Sequence, residues 1–427
     1  MTRMSGADLH IGSIAAGGAG VGRDAGGRAV FVHRTAPGER VRVRIIEEKA
    51  RWARGTLVRV LDAAPERREA PCRFYARCGG CTLEHLQYDA QLRAKAGIVV
   101  DALARIGGIV IDPPDVIASP VELRYRNRVS FTLVRLRNGT VRAGFHELER
   151  PDRVLDIDES CLMPEQAVAA AWADVRRWWG PVAARLPSGT RRRLTLRATA
   201  TGRTSLLIQG GYSAGRPEEL LARVPSLDAI WHQPQPDDAP VLLAGADALT
   251  ETWQDEQLSL GGAVFLQVNR GAAALLDRYV LQLAGDVSNR SVVDAYCGVG
   301  IHARQLARLG ARVRGIELDP RAVAEARRAL PDADFTAARV EDALAPMLPA
   351  DLVLLNPPRA GVAEEAVAAL RLKPPPRLIY ISCDPATLAR DLKRLAPEFG
   401  VRSVRCFDLF PQTAHVETVV ELTCSTT

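Results

Sequence analysis

Hydrophobic positions along the chain change their period twice, and the changes mark out its organisation. From residue 8 to 61 apolar and polar residues alternate. Ala29–Val32, Val41–Ile46 and Leu57–Leu61 each read as a strand with one wet face, and Ala36-Pro-Gly-Glu39 reads as a turn. Gly17–Gly22 and Asp24–Gly27 supply further tight turns, so this segment predicts a small β-barrel. Tyr88–Arg105 then carries Leu92, Ile98, Val99, Ala102 and Leu103 at roughly helical spacing. Alternation returns at Val129–Val134, and strand-like runs at Leu194–Ala198 and Ser205–Gln209 make residues 120–260 a mixed α+β segment, with Trp178-Trp179 packing at a helix end. Beyond residue 262 short apolar runs (Ser291–Asp294, Val313–Glu317, Asp351–Leu355, Leu378–Ile381, Thr418–Leu422) alternate with helical stretches such as 301–309 and 386–394, the pattern of an α/β sheet.

Composition narrows the class. With 427 residues, 47% hydrophobic and 25% charged, the chain is a globular protein of two or three domains. No apolar run approaches the roughly 18 residues of a membrane span, and the Gly- and Ala-rich start lacks a signal-peptide pattern, so a reducing cytoplasmic setting is expected. There, eight cysteines are better read as ligands or nucleophiles than as disulfides. The net charge of +6 is concentrated at the N-terminus: residues 1–60 hold eleven Lys/Arg against five Asp/Glu, leaving the rest neutral. A polyanion meeting the barrel is the simplest reading, with Arg40, Arg42 and Arg44 on one strand face.

Three stretches carry candidate chemistry. Cys72-x5-Cys78-Gly-Gly-Cys81 packs three cysteines around a flexible Gly pair, and Cys161 is the best fourth ligand. Four thiolates suit zinc or an iron–sulfur cluster; the close Cys-x2-Cys with a distant fourth cysteine favours the cluster. Next, a strand leads into Ala295-Tyr296-Cys297-Gly298-Val299-Gly300, and a second strand ends at Glu317. This layout suits an adenosyl group, with a tight loop beneath the ligand and a carboxylate for ribose hydroxyls. Finally, Ser382-Cys383-Asp384-Pro385 places a cysteine at a strand's C-terminal end before a helix start, where amide N–H groups can favour the nucleophilic thiolate. Asn356-Pro-Pro-Arg359 ends another strand rigidly, and Glu417 stands at a strand entrance.

In this order the motifs resemble the RNA uracil-C5 methyltransferase family, closest to its iron–sulfur 23S ribosomal RNA branch. The barrel resembles a TRAM domain, and the resemblance runs through Phe265-Leu-Gln267-Val-Asn269, the 294–300 loop, Asn356-Pro-Pro-Arg, Ser382-Cys-Asp-Pro and His415-Val-Glu417. It implies a Rossmann-like S-adenosylmethionine methyltransferase domain over 263–427, a TRAM-like barrel over 1–64, and a mixed central domain over 65–262 whose 91–120 stretch packs with the catalytic domain. It implies a 4Fe-4S cluster on Cys72, Cys78, Cys81 and Cys161. Cofactor contacts are implied at Gln267, Tyr296, Glu317 and Asp342, with Gly298 and Asn356 beside them. The nucleophile is Cys383 and the base Glu417. Two positions depart from the family pattern: Asn356 replaces a usual Asp, and Ile301-His302 follow the Gly loop where a small polar residue is frequent. The expected partner is RNA, ribosomal first and transfer RNA second, met by a monomer with no membrane. The rivals are an exocyclic amino-methyltransferase, which needs no cysteine, and a cluster-bearing RNA-binding factor without catalysis.

Overall fold

The computed structural model describes residues 6–254, 256–262 and 264–425. Five antiparallel and parallel strands, Gly6–Ile14, Ala19–Arg23, Ala29–His33, Trp52–Asp62 and Arg40–Glu48, close into a barrel in that spatial order. Its interior is filled by Leu9, Ile11, Val30, Val32, Val41, Val43, Ile45 and Ala53, which are the alternating inward positions of the strands. The outward arginines are less available than the strand pattern suggested. Arg42 pairs with Asp8 across the Gly6–Ile14 neighbour, at 2.7 and 3.0 Å, and Arg40 pairs with Asp62 at 2.7 Å.

The chain divides into two compact units, and each is built from discontinuous sequence. One comprises Met1–Arg68, His85–Pro120 and Gly271–Thr427; the other comprises Glu69–Glu84 and Val121–Arg270. In the first, an eight-stranded sheet runs in the order Asp334–Ala337, Arg312–Glu317, Ser291–Ala295, Leu352–Leu355, Arg377–Ser382, Glu417–Cys424, Phe399–Phe407 and Val116–Ile117. The first five strands are parallel, and Glu417–Cys424 returns antiparallel between Arg377–Ser382 and Phe399–Phe407. Leu352–Leu355 is buried along its whole length because apolar clusters cover both faces of the sheet, as a parallel sheet requires. Helix Tyr88–Ala102 and its terminal π-turn Leu103–Gly107 belong to this unit, with Val99 and Leu103 seated in its core.

The second unit holds a six-stranded sheet in the order Val241–Gly245, Leu227–Gln233, Thr204–Gln209, Arg191–Ala198, Arg128–Arg135 and Val141–Gly144. Phe131, Leu133, Leu194, Leu196, Leu206 and Ile208 pack one of its faces against helix Gln166–Trp178, where Trp172 stacks on Phe131 at 4.3 Å. Among the described residues no helix is long and apolar enough to cross a membrane. The expected architecture is found: a Rossmann-like α/β sheet, an N-terminal barrel and a mixed α+β central part.

Candidate active site

The parallel strands end at one edge, and their order reverses between Ser291–Ala295 and Leu352–Leu355, the place where such sheets bind ligands. Tyr296, Gly298 and Gly300 all take positive φ there, at 65°, 56° and 80°. A side chain on Gly298 would meet no atom within 4 Å, so this glycine leaves an open cradle above the loop. Glu317 is fixed at the same spot: one carboxylate oxygen accepts the Gly298 N–H at 3.0 Å and the other accepts the Asp319 N–H at 2.9 Å. Burial pushes the Tyr296 phenol up to about 12. Asn356 follows directly after Leu355, its N–H donating to the Ala295 carbonyl at 3.3 Å. Tyr296, Gly298, Glu317 and Asn356 are thus brought to one edge. Asp342 stands exposed on the short helical turn Val340–Ala343. Gln267 belongs to the other unit, where its carbonyl accepts from Asn127 Nδ2 at 3.1 Å. His302, one of the departures from the family pattern, is buried 3.1 Å from Asp277 of helix Arg270–Ala284, so its ring is committed to packing.

The edge next to this loop carries the candidate nucleophile and base. Antiparallel register sets Ser382 opposite Thr418, and one further step of the same register sets Cys383 opposite Glu417. The thiol is only half-buried, whereas Glu417 is 3% exposed. Burial drives the Glu417 carboxyl up to about 8, opposed only by the charge of Arg359. Burial, then Glu417, raise the Cys383 thiol, while the Arg359 guanidinium lowers it by charge and by a hydrogen bond to the sulfur. This corrects the expectation that helix-start amides would favour the thiolate: Asp384 uses the Thr387 N–H for its own cap, at 2.9 Å, and adds negative charge beside the sulfur.

Arg359 is the site residue that reading the sequence missed. The loop bearing it is pinned to helix Pro385–Leu395: Thr387 Oγ1 donates to the Arg359 carbonyl at 3.0 Å, Arg390 to the Ala360 carbonyl at 2.7 Å, and the Val362 N–H to Asp391 at 2.9 Å. Gly361 is required there, since any side chain would run into Asp391, Thr387 and Arg390. The only signal was its place directly after a rigid Pro-Pro at a strand end. Replacing Arg359 by Gln should raise both the thiol and the carboxyl. The rate at pH 7 should then fall by roughly tenfold for each pK unit gained, and the pH–rate profile, expected to rise through about 8 in the wild type, should move to higher pH. Arg359→Lys should return part of the shift. A profile unmoved by Arg359→Gln would remove this role. The stability sign is also fixed. A carboxyl raised on folding contributes stability that is complete below the ordinary carboxylate range and is lost as pH rises through about 8. Glu417→Gln should lack that alkaline loss in thermal melts.

A buried polar network sets the segment before Glu417. Lys95 donates to Asp408 and, at 3.1 Å, to the Phe410 carbonyl; Tyr88 donates to Asp408 at 3.0 Å. Gln91 exchanges hydrogen bonds with Gln412, accepting its N–H and donating to its side chain, both at 2.9 Å. Lys95 and Asp408 are each 0% exposed. Lys95 is one of only four lysines among the chain's 56 basic residues, and that rarity was its sole mark in the sequence.

In the other unit no cysteine forms a disulfide. Cys72, Cys78, Cys81 and Cys161 lie within electrostatic reach of one another: Cys161 and Cys78 both act on Cys81, and Cys72 and Cys78 on Cys161. Main-chain N–H groups already point at the sulfurs, from Gly80 to Cys78 at 3.3 Å, from Phe74 and Leu162 to Cys72, and from Met163 to Cys161. Among the described residues no three ligating side chains converge on a single ion.

A Rossmann-like sheet with an acid-anchored Gly loop at its switch point is the architecture of S-adenosylmethionine-dependent methyltransferases, and it is shared with dinucleotide-binding enzymes. Comparison with known proteins gives the particular branch. Residues 334–425 match the tRNA (Uracil-5-)-methyltransferase family, residues 8–58 the TRAM domain, and residues 293–356 a methyltransferase domain. An uncharacterized RNA methyltransferase of Synechocystis is 35% identical over 97% of this chain and 95% of its own, and one of Halalkalibacterium halodurans is 31% identical over 97% and 96%. The tRNA (uracil-54, C5)-methyltransferase of Pyrococcus abyssi, solved with S-adenosyl-L-homocysteine, is 26% identical with a TM-score of 0.75, covering 99% of this chain and 100% of that one. The chain belongs to the TRAM-domain RNA methyltransferases of the tRNA uracil-5-methyltransferase type.

Proposed function

We propose that the protein methylates C5 of a uridine in RNA through a covalent adduct between Cys383 and C6 of the base, acting in the cytoplasm on large-subunit ribosomal RNA. The observation that carries this is the register that sets Cys383 opposite Glu417, with Arg359 acting on both. Uracil C5 is a poor nucleophile. Attack of the Cys383 thiolate on C6 turns the ring into an enolate whose nucleophilic carbon is C5. Gly298 and Glu317, with Gln267, Tyr296, Asp342 and Asn356, would hold S-adenosylmethionine, which would supply an electrophilic methyl group to C5 and depart as S-adenosylhomocysteine. Once C5 is methylated, Glu417 removes the C5 proton and the sulfur leaves as thiolate, which restores the aromatic ring. A base with a pKa near working pH suits both taking and releasing that proton. Arg359 favours the ionised form of both groups, and Glu417 opposes it at the sulfur.

The test is methyl transfer from labelled cofactor to RNA, with 5-methyluridine mapped in total RNA from cells with and without the gene. Label on an exocyclic nitrogen, or on none, would end this reading. Transfer RNA is the second reading, supported by similarity to the archaeal tRNA enzyme along the whole chain; 5-methyluridine missing from transfer RNA alone would select it.

The four thiols of the central unit, with main-chain N–H donors already aimed at their sulfurs, fit a 4Fe-4S cluster, and Cys72, Cys78, Cys81 and Cys161 would hold it. Such a cluster ties residues 72–81 to residue 161 as a cross-link. Anaerobically purified protein should be brown with about four irons per chain, and Cys72→Ala should cost folding of this unit more than cofactor binding. Stoichiometric zinc without sulfide would replace the cluster by a structural ion.

A further inference from the structure

The six-stranded sheet of the central unit has two unlike faces. One is the apolar face packed on helix Gln166–Trp178. The other is lined by the alternate positions of Arg128–Arg135 and Arg191–Ala198, and the register makes it basic. Arg128 lies opposite Arg197, Ser130 opposite Thr195, and Thr132 opposite Arg193. Arg193 is exposed and Arg128 half-buried. Arg197 lies deeper, donating to the Val264 carbonyl. Ser130 and Thr195 bond through their hydroxyls at 2.8 Å, leaving a flat hydroxyl floor between the two ends of the arginine row.

The electrostatics of this row differ from those of the barrel arginines. Arg128 lies opposite Arg197 and within reach of the Arg193 charge. Burial and then the Arg193 charge push it down, with no carboxylate acting on it. Arg197 is pushed to about 9 by burial and then by Arg128; the one acid near it, Glu251, is bonded to Arg270 at 2.9 Å. Neither Arg128 nor Arg193 makes an ion pair among the described residues. Like charges gathered without a counter-charge cost stability in the bare protein. On the barrel, by contrast, Arg40 and Arg42 already carry Asp62 and Asp8. A face that keeps its guanidinium donors unspent and its charges unneutralised is complementary to a polyanion, and a single strand offers one phosphate per nucleotide to such a row.

We propose that this sheet face is a phosphate track for single-stranded RNA, with Arg128 and Arg193 contacting successive backbone phosphates and Arg197 supporting them from behind. The inference rests on the RNA reading above and names where on the chain the strand is held.

The test uses full-length protein and a substrate RNA transcript, with affinity measured across salt concentrations. In Arg128→Gln/Arg193→Gln the slope of log affinity against log salt should flatten by about 1.4, the loss of two single-strand phosphate contacts at about 0.7 each. Its KM for RNA should rise at least about tenfold at physiological salt, while S-adenosylmethionine affinity is retained. Arg128→Lys/Arg193→Lys should restore the slope, which a merely structural role would not predict. Melting temperature should hold or rise in the Gln variant, because mutual repulsion has been removed. A wild-type slope in the Gln variant would overturn the track. Wild-type protein that binds RNA with no salt dependence would instead bring down the RNA reading itself. Retained RNA binding with lost association to a ribosomal protein would make the face a protein-docking surface, also against the proposal.

Discussion

Protein carrying Glu417→Gln, incubated with S-adenosylmethionine and substrate RNA, should accumulate a methylated protein–RNA adduct that survives denaturing electrophoresis. The order of steps demands it. In the proposed mechanism Cys383 adds to C6 before the methyl group moves, and it can leave only after C5 has lost its proton. Gln keeps the shape of the buried side chain but cannot accept that proton, so turnover should fall by about 10²–10⁴-fold while the adduct builds up. Cys383→Ala should bind RNA and cofactor yet give neither adduct nor product, and the double variant should give no adduct. Normal turnover by Glu417→Gln would move the base elsewhere, with Asp384 or His415 next in line. His415 is exposed beside the Phe410 ring, which makes it the weaker of the two. Methylated uridine from Cys383→Ala would sink the covalent mechanism.

Lys95→Met should be among the most destabilising single changes in the chain, by about 3–5 kcal/mol, out of a total that for such proteins is about 5–15 kcal/mol. Met nearly matches the volume but leaves Asp408 charged and buried, with Tyr88 as a remaining donor. Asp408 begins the segment that ends at Glu417, so activity should fall as well. Lys95→Met/Asp408→Leu should regain much of the stability, since no charge is then stranded, and should still lose activity because the Asp408 carboxylate that accepts from Tyr88, Lys95 and the Phe410 N–H no longer fixes the start of this segment. Urea unfolding of the two variants decides the matter. Equal stabilities would mean that the charge pair is not what holds this segment.

These two sites differ in how far the chain announced them. Cys383 and Glu417 could each be picked out beforehand, one by a strand ending in Ser-Cys before Asp-Pro, the other by its place ahead of Thr418–Leu422. Their ionisation could not. The helix start suggested a lowered thiol, and the fold raised it, because burial and then Glu417 act on the sulfur while Asp384 has already used the cap. Lys95 and Asp408 lie 313 residues apart, and no local pattern connects them. Arg40 and Arg42 failed in the opposite direction: their period-two spacing was correct, but their partners Asp8 and Asp62 sit on neighbouring strands.

The sequence by itself determined the element types, the barrel and α/β patterns, the Gly loop with Glu317, and which cysteine and carboxylate stand as the candidate nucleophile and base. These are properties of residues within a few positions of one another, where backbone sterics and burial period act directly. Only the tertiary structure decided that Cys383 meets Glu417, that Arg359 bears on both, that Lys95 holds the segment before Glu417, and that Arg128 and Arg193 share a face with Arg197 without an ion pair of their own. Each of those depends on strand register or on distant segments sharing one environment. Charge interactions and desolvation follow distance in space, and the chain order does not contain that distance.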